Sequence, residues 1–151
     1  MSEMATPSQT ATWIGSQANG WVIAQNGQPY TGNTGGSIIA NASFQANGDI
    51  MMGAYDGTTG KLYFGVNGTW GGTANPSTGA NPHYTLDTSK FYFPCVSTGN
   101  DVSANFGNGY FGTTAITTNS GNGYAGAEGK SKFNYQPPTG FSALTTRGLN
   151  Q

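Results

Sequence analysis

The sequence has 151 residues, the size of one domain, with a net charge of −1, 7% charged residues and 25 glycines. So few Lys and Glu residues exclude a surface of helices, and 13% aromatic residues exclude a chain that never builds a core. Five Lys or Arg residues are too few for a nucleic-acid site that neutralises roughly 6–10 phosphates, or for a basic patch on an anionic membrane. No apolar run approaches the ~18 residues of a spanning helix, and no charged-then-apolar signal segment opens the chain. An all-β domain rich in tight turns is what remains.

In chain order, residues 1–12 carry no period and read as an N-terminal loop or partial strand. The run GWVIAQNGQPY reads as a hairpin turning at Asn26-Gly27, and 32–36 as a loop. Residues 37–44 (SIIANASF) read as a strand closed by the turn Asn47-Gly48-Asp49. The clearest signal is GDIMMGAYDGTTGKLYFGVNGTW. Here the apolar runs 50–55 and 62–66 flank the turn Asp56-Gly57-Thr58-Thr59-Gly60, and Asn67-Gly68 then delivers Trp70. Two Asn-Pro pairs break up 71–90, since Pro cannot donate to a ladder. Strands are expected at 91–97 and at 102–106, where Val102, Ala104 and Phe106 alternate with Ser103 and Asn105. The glycine-rich segment 107–132 is expected to stay mobile unless Tyr110, Phe111 and Tyr124 dock, and Phe141 with Leu144 is expected to close the core.

The chemical inventory is thin. His83 is the one histidine, reads as an exposed loop residue, and has Asp87 as its nearest acid in sequence. Glycoside hydrolysis would need two facing carboxylates from Glu3, Asp49, Asp56, Asp87, Asp101 and Glu128. Of these, Asp49, Asp56 and Asp101 sit at turns and read as Asx-turn caps, while Glu3 and Glu128 fall in floppy segments. One His and one Cys do not make a zinc set, and Cys95 reads as a buried structural thiol. A weak calcium site in an Asp-rich loop has no supporting EF-type spacing. Asn41-Ala42-Ser43 and Asn67-Gly68-Thr69 match the N-x-S/T pattern, which chance alone supplies in so Asn- and Thr-rich a chain. Large aromatics in or beside loops are the better lead, either as binding anchors or as a roof over the ends of the fold.

In order, the chain carries GWVIAQNGQPY, NGDIMMGAYDGTTGKLYFGVNGTW, FYFPCVSTGNDVSANFGNGYF and FNYQPPTGFSAL. This succession resembles the SPRY domain over residues 13–145, with 146–151 as a tail. The resemblance implies an antiparallel two-sheet β-sandwich of concanavalin A-like architecture that binds through loops, without catalytic residues or a cofactor. The inserts after Asn67-Gly68-Thr69-Trp70 and after Asn105-Phe106-Gly107 resemble copies found in bacteriophage virion proteins. One departure is that the strand ahead of the family's Gly-Trp region is missing, and only Met4-Ala5-Thr6-Pro7-Ser8 matches the end of the next. The lost edge is expected to come from a neighbouring copy by strand addition, unless the sequence is a piece of a longer polypeptide.

The reading is therefore a non-enzymatic virion protein, either a capsid-decoration subunit or a tail-fibre module. It would bind other virion proteins, or a host-surface protein or glycan, with no nucleic acid and no membrane insertion. Its surface would be built from loops 68–87 and 107–132, with Trp70, His83, Tyr84 and Tyr110 as anchors. A lectin-like carbohydrate-binding module is the alternative, with the same aromatics stacking on sugars.

Overall fold

The computed structural model describes residues 2–3, 13–96, 98–99, 101–116 and 123–144. The N-terminal match at 4–8, part of the second insert at 117–122 and the tail at 146–151 lie outside the described residues. The described chain is all-β, with antiparallel strand pairings and two short 3-10 turns, Ile14–Ser16 and Pro76–Thr78. It forms two compact units, one of Met1–Asn75 with Gly79–Gly99, the other of Pro76–Thr78 with Asn100–Gln151.

In the first unit, β1 (Ser2–Glu3) pairs with β9 (Tyr92–Phe93). A second sheet holds β2 (Val22–Ile23), β3 (Pro29–Thr31) and β4 (Thr34–Gly35). The β2–β3 turn is not the two-residue Asn-Gly turn that the sequence predicts. Only Gly27 takes a positive φ (83°), and its amide bonds Ala24 O at 2.8 Å, while Asn26 Oδ1 accepts from the Gln28 amide at 3.0 Å. A loop of three residues with a glycine bulge results. Gly32 and Asn33, both at positive φ, instead make the mirror-image two-residue turn into β4.

The third sheet is built on the long hairpin of β5 (Met51–Asp56) and β6 (Lys61–Val66), paired from Met51 with Val66 to Asp56 with Lys61. Asp56 makes the expected Asx turn: Oδ1 accepts from the Thr58 amide at 2.9 Å and Oδ2 from the Thr59 hydroxyl. Gly60 closes the loop at φ 75°, where a Cβ would lie 2.1 Å from Leu86 O, so no other residue fits. The far edge of β6 is shared by β7 (Thr69–Trp70) and β8 (Tyr84–Thr85).

β6 is buried from Leu62 through Val66. Its pleat turns Leu62 and Phe64 toward a core with Ile23, Ala42 and Leu86, against which Trp21, Ile39, Phe44 and Tyr55 pack. Tyr63 points the other way, beside Ala54 across the ladder, and is 0% exposed. Its hydroxyl is buried with no hydrogen-bond partner among the described residues.

Of three further expected strands, two are not strands and one is shortened. Residues 37–44 run irregularly, because Asn41 takes φ 58° and the segment bonds the β2–β3 turn (Ile39 N to Gly27 O, Phe44 N to Gln25 O) rather than a ladder. The strand expected at 91–97 shrinks to β9, since Pro94 has no amide to continue the pairing. Cys95 is consequently exposed, not buried. Residues 102–106 belong to no ladder among the described residues, and Phe106 lies at a bend.

Among its described residues the second unit has one ladder, β10 (Tyr110–Phe111) with β11 (Thr114–Ala115), turned at Gly112 with φ 60°. Isolated bridges join Asn108 to Lys132 and Tyr124 to Phe133. Glu128 is not a floppy residue: its carboxylate accepts from the Ser131 amide at 3.0 Å and from the Ala143 amide at 3.2 Å. Ala143 is the buried residue near the C-terminal end of the described chain, and Leu144, expected in the core, is exposed.

Leu62→Ala is expected to lower stability by about 2–5 kcal/mol in urea unfolding, from lost burial and the cavity left behind. Tyr63→Phe is expected to leave stability unchanged or higher, because it removes a desolvated hydroxyl that gains nothing. A loss above about 1 kcal/mol in Tyr63→Phe would show that this hydroxyl has a partner.

Candidate functional site

The loop side chains that the sequence offers as anchors are held in three different ways. Asn67 (φ 51°) and Gly68 (φ 87°) form the mirror-image two-residue turn between β6 and β7 that Asn-Gly predicts. Asn67 does more than turn. Its Oδ1 accepts from the Ile50 amide at 2.9 Å, and its Nδ2 donates to Asp49 Oδ1 at 2.7 Å. Asp49 in turn accepts from the Ala46 amide at 2.9 Å, and the bonds from Asn67 and Ala46 hold its carboxyl below the usual range. The turn is therefore pinned to the start of β5.

Trp70 follows as a residue of β7, directly opposite Gly65. It shares the Tyr63 face of the sheet and is half-buried, so it is a strand residue and not a free loop anchor. Gly65 makes this possible, because a Cβ there would lie 2.5 Å from Thr69 O and 2.8 Å from Met52 Cε.

His83 is a structural residue, contrary to the exposed position expected of it. On the far edge of β6, Gly65 and Val66 pair with β7, and Lys61 and Leu62 pair with β8. The Phe64 amide falls in the gap and donates to His83 Nδ1 at 2.9 Å. A backbone amide can only donate, so Nδ1 is the acceptor, and the proton sits on Nε2, which donates to Gly71 O at 3.2 Å. The ring also stacks on Phe64, with centroids 6.0 Å apart. Burial holds the imidazole below its ordinary 6.5, opposed by the bond to Gly71. Asp87 is not its partner, since Asp87 Oδ1 accepts from the amide and hydroxyl of Ser89 at 2.9 and 2.8 Å.

Tyr84 lies on the core side. Its hydroxyl reaches Val22 O at 3.4 Å, its ring meets Phe64 edge-on, and burial pushes its pKa up to about 12. His83 and Tyr84 thus meet on Phe64 as parts of the packing.

Tyr110, in the second unit, is 47% exposed on β10 and remains available as a contact residue. Sequence reasoning missed its companions. Val102 and Phe106 are 57% and 43% exposed, on a stretch that pairs with no strand among the described residues. Their alternation reads as a strand with one buried face, and nothing in it marks that face as exposed. The open backbone also differs from the one expected at the N-terminus, where Ser2–Glu3 of the same chain pairs with β9.

Of the carboxylates whose side chains are described, four are engaged locally. Asp49, Asp56, Asp87 and Glu128 each turn to neighbouring donors, and Asp101 is exposed. Among the described residues, no group of three or more His, Cys, Asp or Glu side chains could hold a metal ion, and no helix is long and apolar enough to cross a membrane. Comparisons of the chain with protein-family models, curated proteins and solved structures find no match.

Because folding keeps His83 neutral, the unfolded chain takes up its proton first as pH falls below 6.5. Stability is therefore expected to decline with acidification from that value down to the lower folded pKa. His83→Gln is expected to be less stable at neutral pH but to show a flatter decline just below pH 6.5 in urea unfolding. An unchanged slope would contradict the neutral, doubly bonded imidazole.

Proposed function

We propose that this chain is a non-enzymatic virion protein of the SPRY kind, a capsid-decoration or tail-fibre module folded as a concanavalin A-like two-sheet sandwich. The ordered succession of motifs over residues 13–145 supports the family reading, and the phage-like inserts support the virion setting. The antiparallel sheets and the core between β2 and β6 are consistent with it.

The observation that carries a binding role is the segment 102–106. It alternates apolar with polar, it leaves Val102 and Phe106 exposed, and its backbone joins no ladder among the described residues. Natural proteins avoid open strand edges of this kind unless something pairs with them. An extended segment of another virion subunit, or of a second copy, would add there through main-chain hydrogen bonds, with Val102 and Phe106 giving the apolar contact. The segment holds no charged residue to repel a like strand. The open edge therefore replaces the N-terminal one as the place of strand addition, and the partner class stays the same.

A second reading, as a lectin-like module for host attachment, is favoured by one observation, the exposed ring of Tyr110 on the β10–β11 hairpin. Aromatic faces of this kind stack on sugars.

Val102→Asp with Phe106→Asp is expected to abolish incorporation into particles assembled with the other virion proteins. Its melting temperature is expected to stay close to that of the parent, since exposed substitutions usually change stability by within about 0.5 kcal/mol. Normal incorporation of that variant would reject the strand-addition reading. Glycan binding that is lost in Tyr110→Ala, with incorporation intact, would favour the lectin reading instead.

A further inference from the structure

The sequence contains six Asn-Gly steps, at 19, 26, 47, 67, 108 and 122. Such steps share one chemistry. The glycine amide nitrogen attacks the asparagine Cγ, a new N–C bond forms, the bond to the side-chain nitrogen breaks, and ammonia leaves with the proton. Water then opens the succinimide at either carbonyl to give Asp or isoaspartate. Glycine favours the reaction because no Cβ shields its nitrogen. In a folded chain the rate depends on whether the side-chain amide and the glycine nitrogen are free to meet.

The fold separates the steps on that criterion. Gly20 N is held by Gln17 O at 3.1 Å. At the second step both groups are engaged, Gly27 N with Ala24 O at 2.8 Å and Asn26 Oδ1 with the Gln28 amide at 3.0 Å. Asn67 has both side-chain polar atoms bonded, to the Ile50 amide and to Asp49. Asn108 Oδ1 accepts from the Tyr110 amide at 3.3 Å, and Gly109 is buried against Lys132. Asn122 lies outside the described residues. At Asn47-Gly48 both residues are exposed, and neither the Asn47 side chain nor the Gly48 amide has a hydrogen bond among the described residues. Even a Cβ at Gly48 would meet nothing within 4 Å.

We propose that Asn47 is a self-modification site, at which the chain deamidates through the Gly48 nitrogen ahead of the other described Asn-Gly steps. The position gives the reaction a consequence. Asn47 lies inside the turn closed by the Asp49 amide on Ala46 O at 3.1 Å and by the Ala46 amide on Asp49 Oδ2 at 2.9 Å. An isoaspartate adds a methylene to that main chain, and an Asp places a second carboxylate beside Asp49. Either change loosens the Asp49–Asn67 pin at the start of β5, so aged protein melts lower than fresh.

The test is peptide mapping by mass spectrometry of the full chain held at pH 8, folded and in urea, with melting temperatures taken on the same samples. In the folded chain the Asn47 peptide is expected to convert several-fold faster than those of Asn26, Asn67 and Asn108, giving both Asp and isoaspartate. In urea the steps are expected to converge. Asn47→Gln is expected to remove the early conversion and the early fall in melting temperature. Conversion of Asn26, Asn67 or Asn108 as fast as Asn47 would overturn the proposal, as would the same ranking in urea, or no conversion at Asn47.

Discussion

A strand can bury five consecutive residues only if both of its faces are covered, and β6 buries Leu62 through Val66. Much of the first unit is arranged to meet that constraint. Leu62 and Phe64 gather the core that β2 and the irregular segment around Ala42 complete. Full burial of each such side chain contributes about 1.5–3 kcal/mol. On the other face Tyr63 is sealed with a hydroxyl unpartnered among the described residues, which lowers stability and makes Tyr63 a position where shape outweighs polarity. Gly65 lets the backbone of β7 approach closely enough to extend the sheet.

Covering a strand also means satisfying its backbone, and here the polar residues are spent on structure. The far edge of β6 is paired by two short strands with a gap between them, and the imidazole of His83 supplies the missing acceptor. Asp56 closes one end of the hairpin, and Asp49 with Asn67 closes the other. In the second unit Glu128 does the same for the amides of Ser131 and Ala143, and a half-buried carboxylate that accepts main-chain bonds is held below its usual pKa even though burial pushes it up. His83, Asp49, Asp56 and Glu128 thereby hold strand edges and turns in place.

The central hairpin was legible in the sequence because its turns carry their own chemistry: Asp56 before Gly57, and Asn67 before Gly68. Asn26-Gly27 carries the same dipeptide but turns differently, since the Asx bond of Asn26 to Gln28 favours a longer loop. Apolar content was the weaker guide. At 37–44 it arises from side chains that pack while the backbone bonds a neighbouring turn, so Ile39 is partly buried and Ile38 is exposed. At 102–106 the alternation is genuine, but it does not reveal that Val102 and Phe106 are exposed or that the segment joins no ladder among the described residues. Of the four proposed anchors, His83 and Tyr84 were misread because their partners, Phe64 and Val22, are about 20 and 60 residues away in sequence. Tyr110 keeps the exposure that a contact residue needs.

The account therefore separates the β5–β6 hairpin, paired along its whole length, from the segment 102–106, proposed as the place where a partner strand adds. Hydrogen exchange resolved to single amides, on the isolated chain and on the chain in its native assembly, measures both at once. The amides of β6 should be the best protected in both samples, because they open only with the core. Those of 102–106 should exchange freely in the isolated chain and become protected in the assembly. Protection of 102–106 in the isolated chain, or free exchange there in the assembly, would contradict the account.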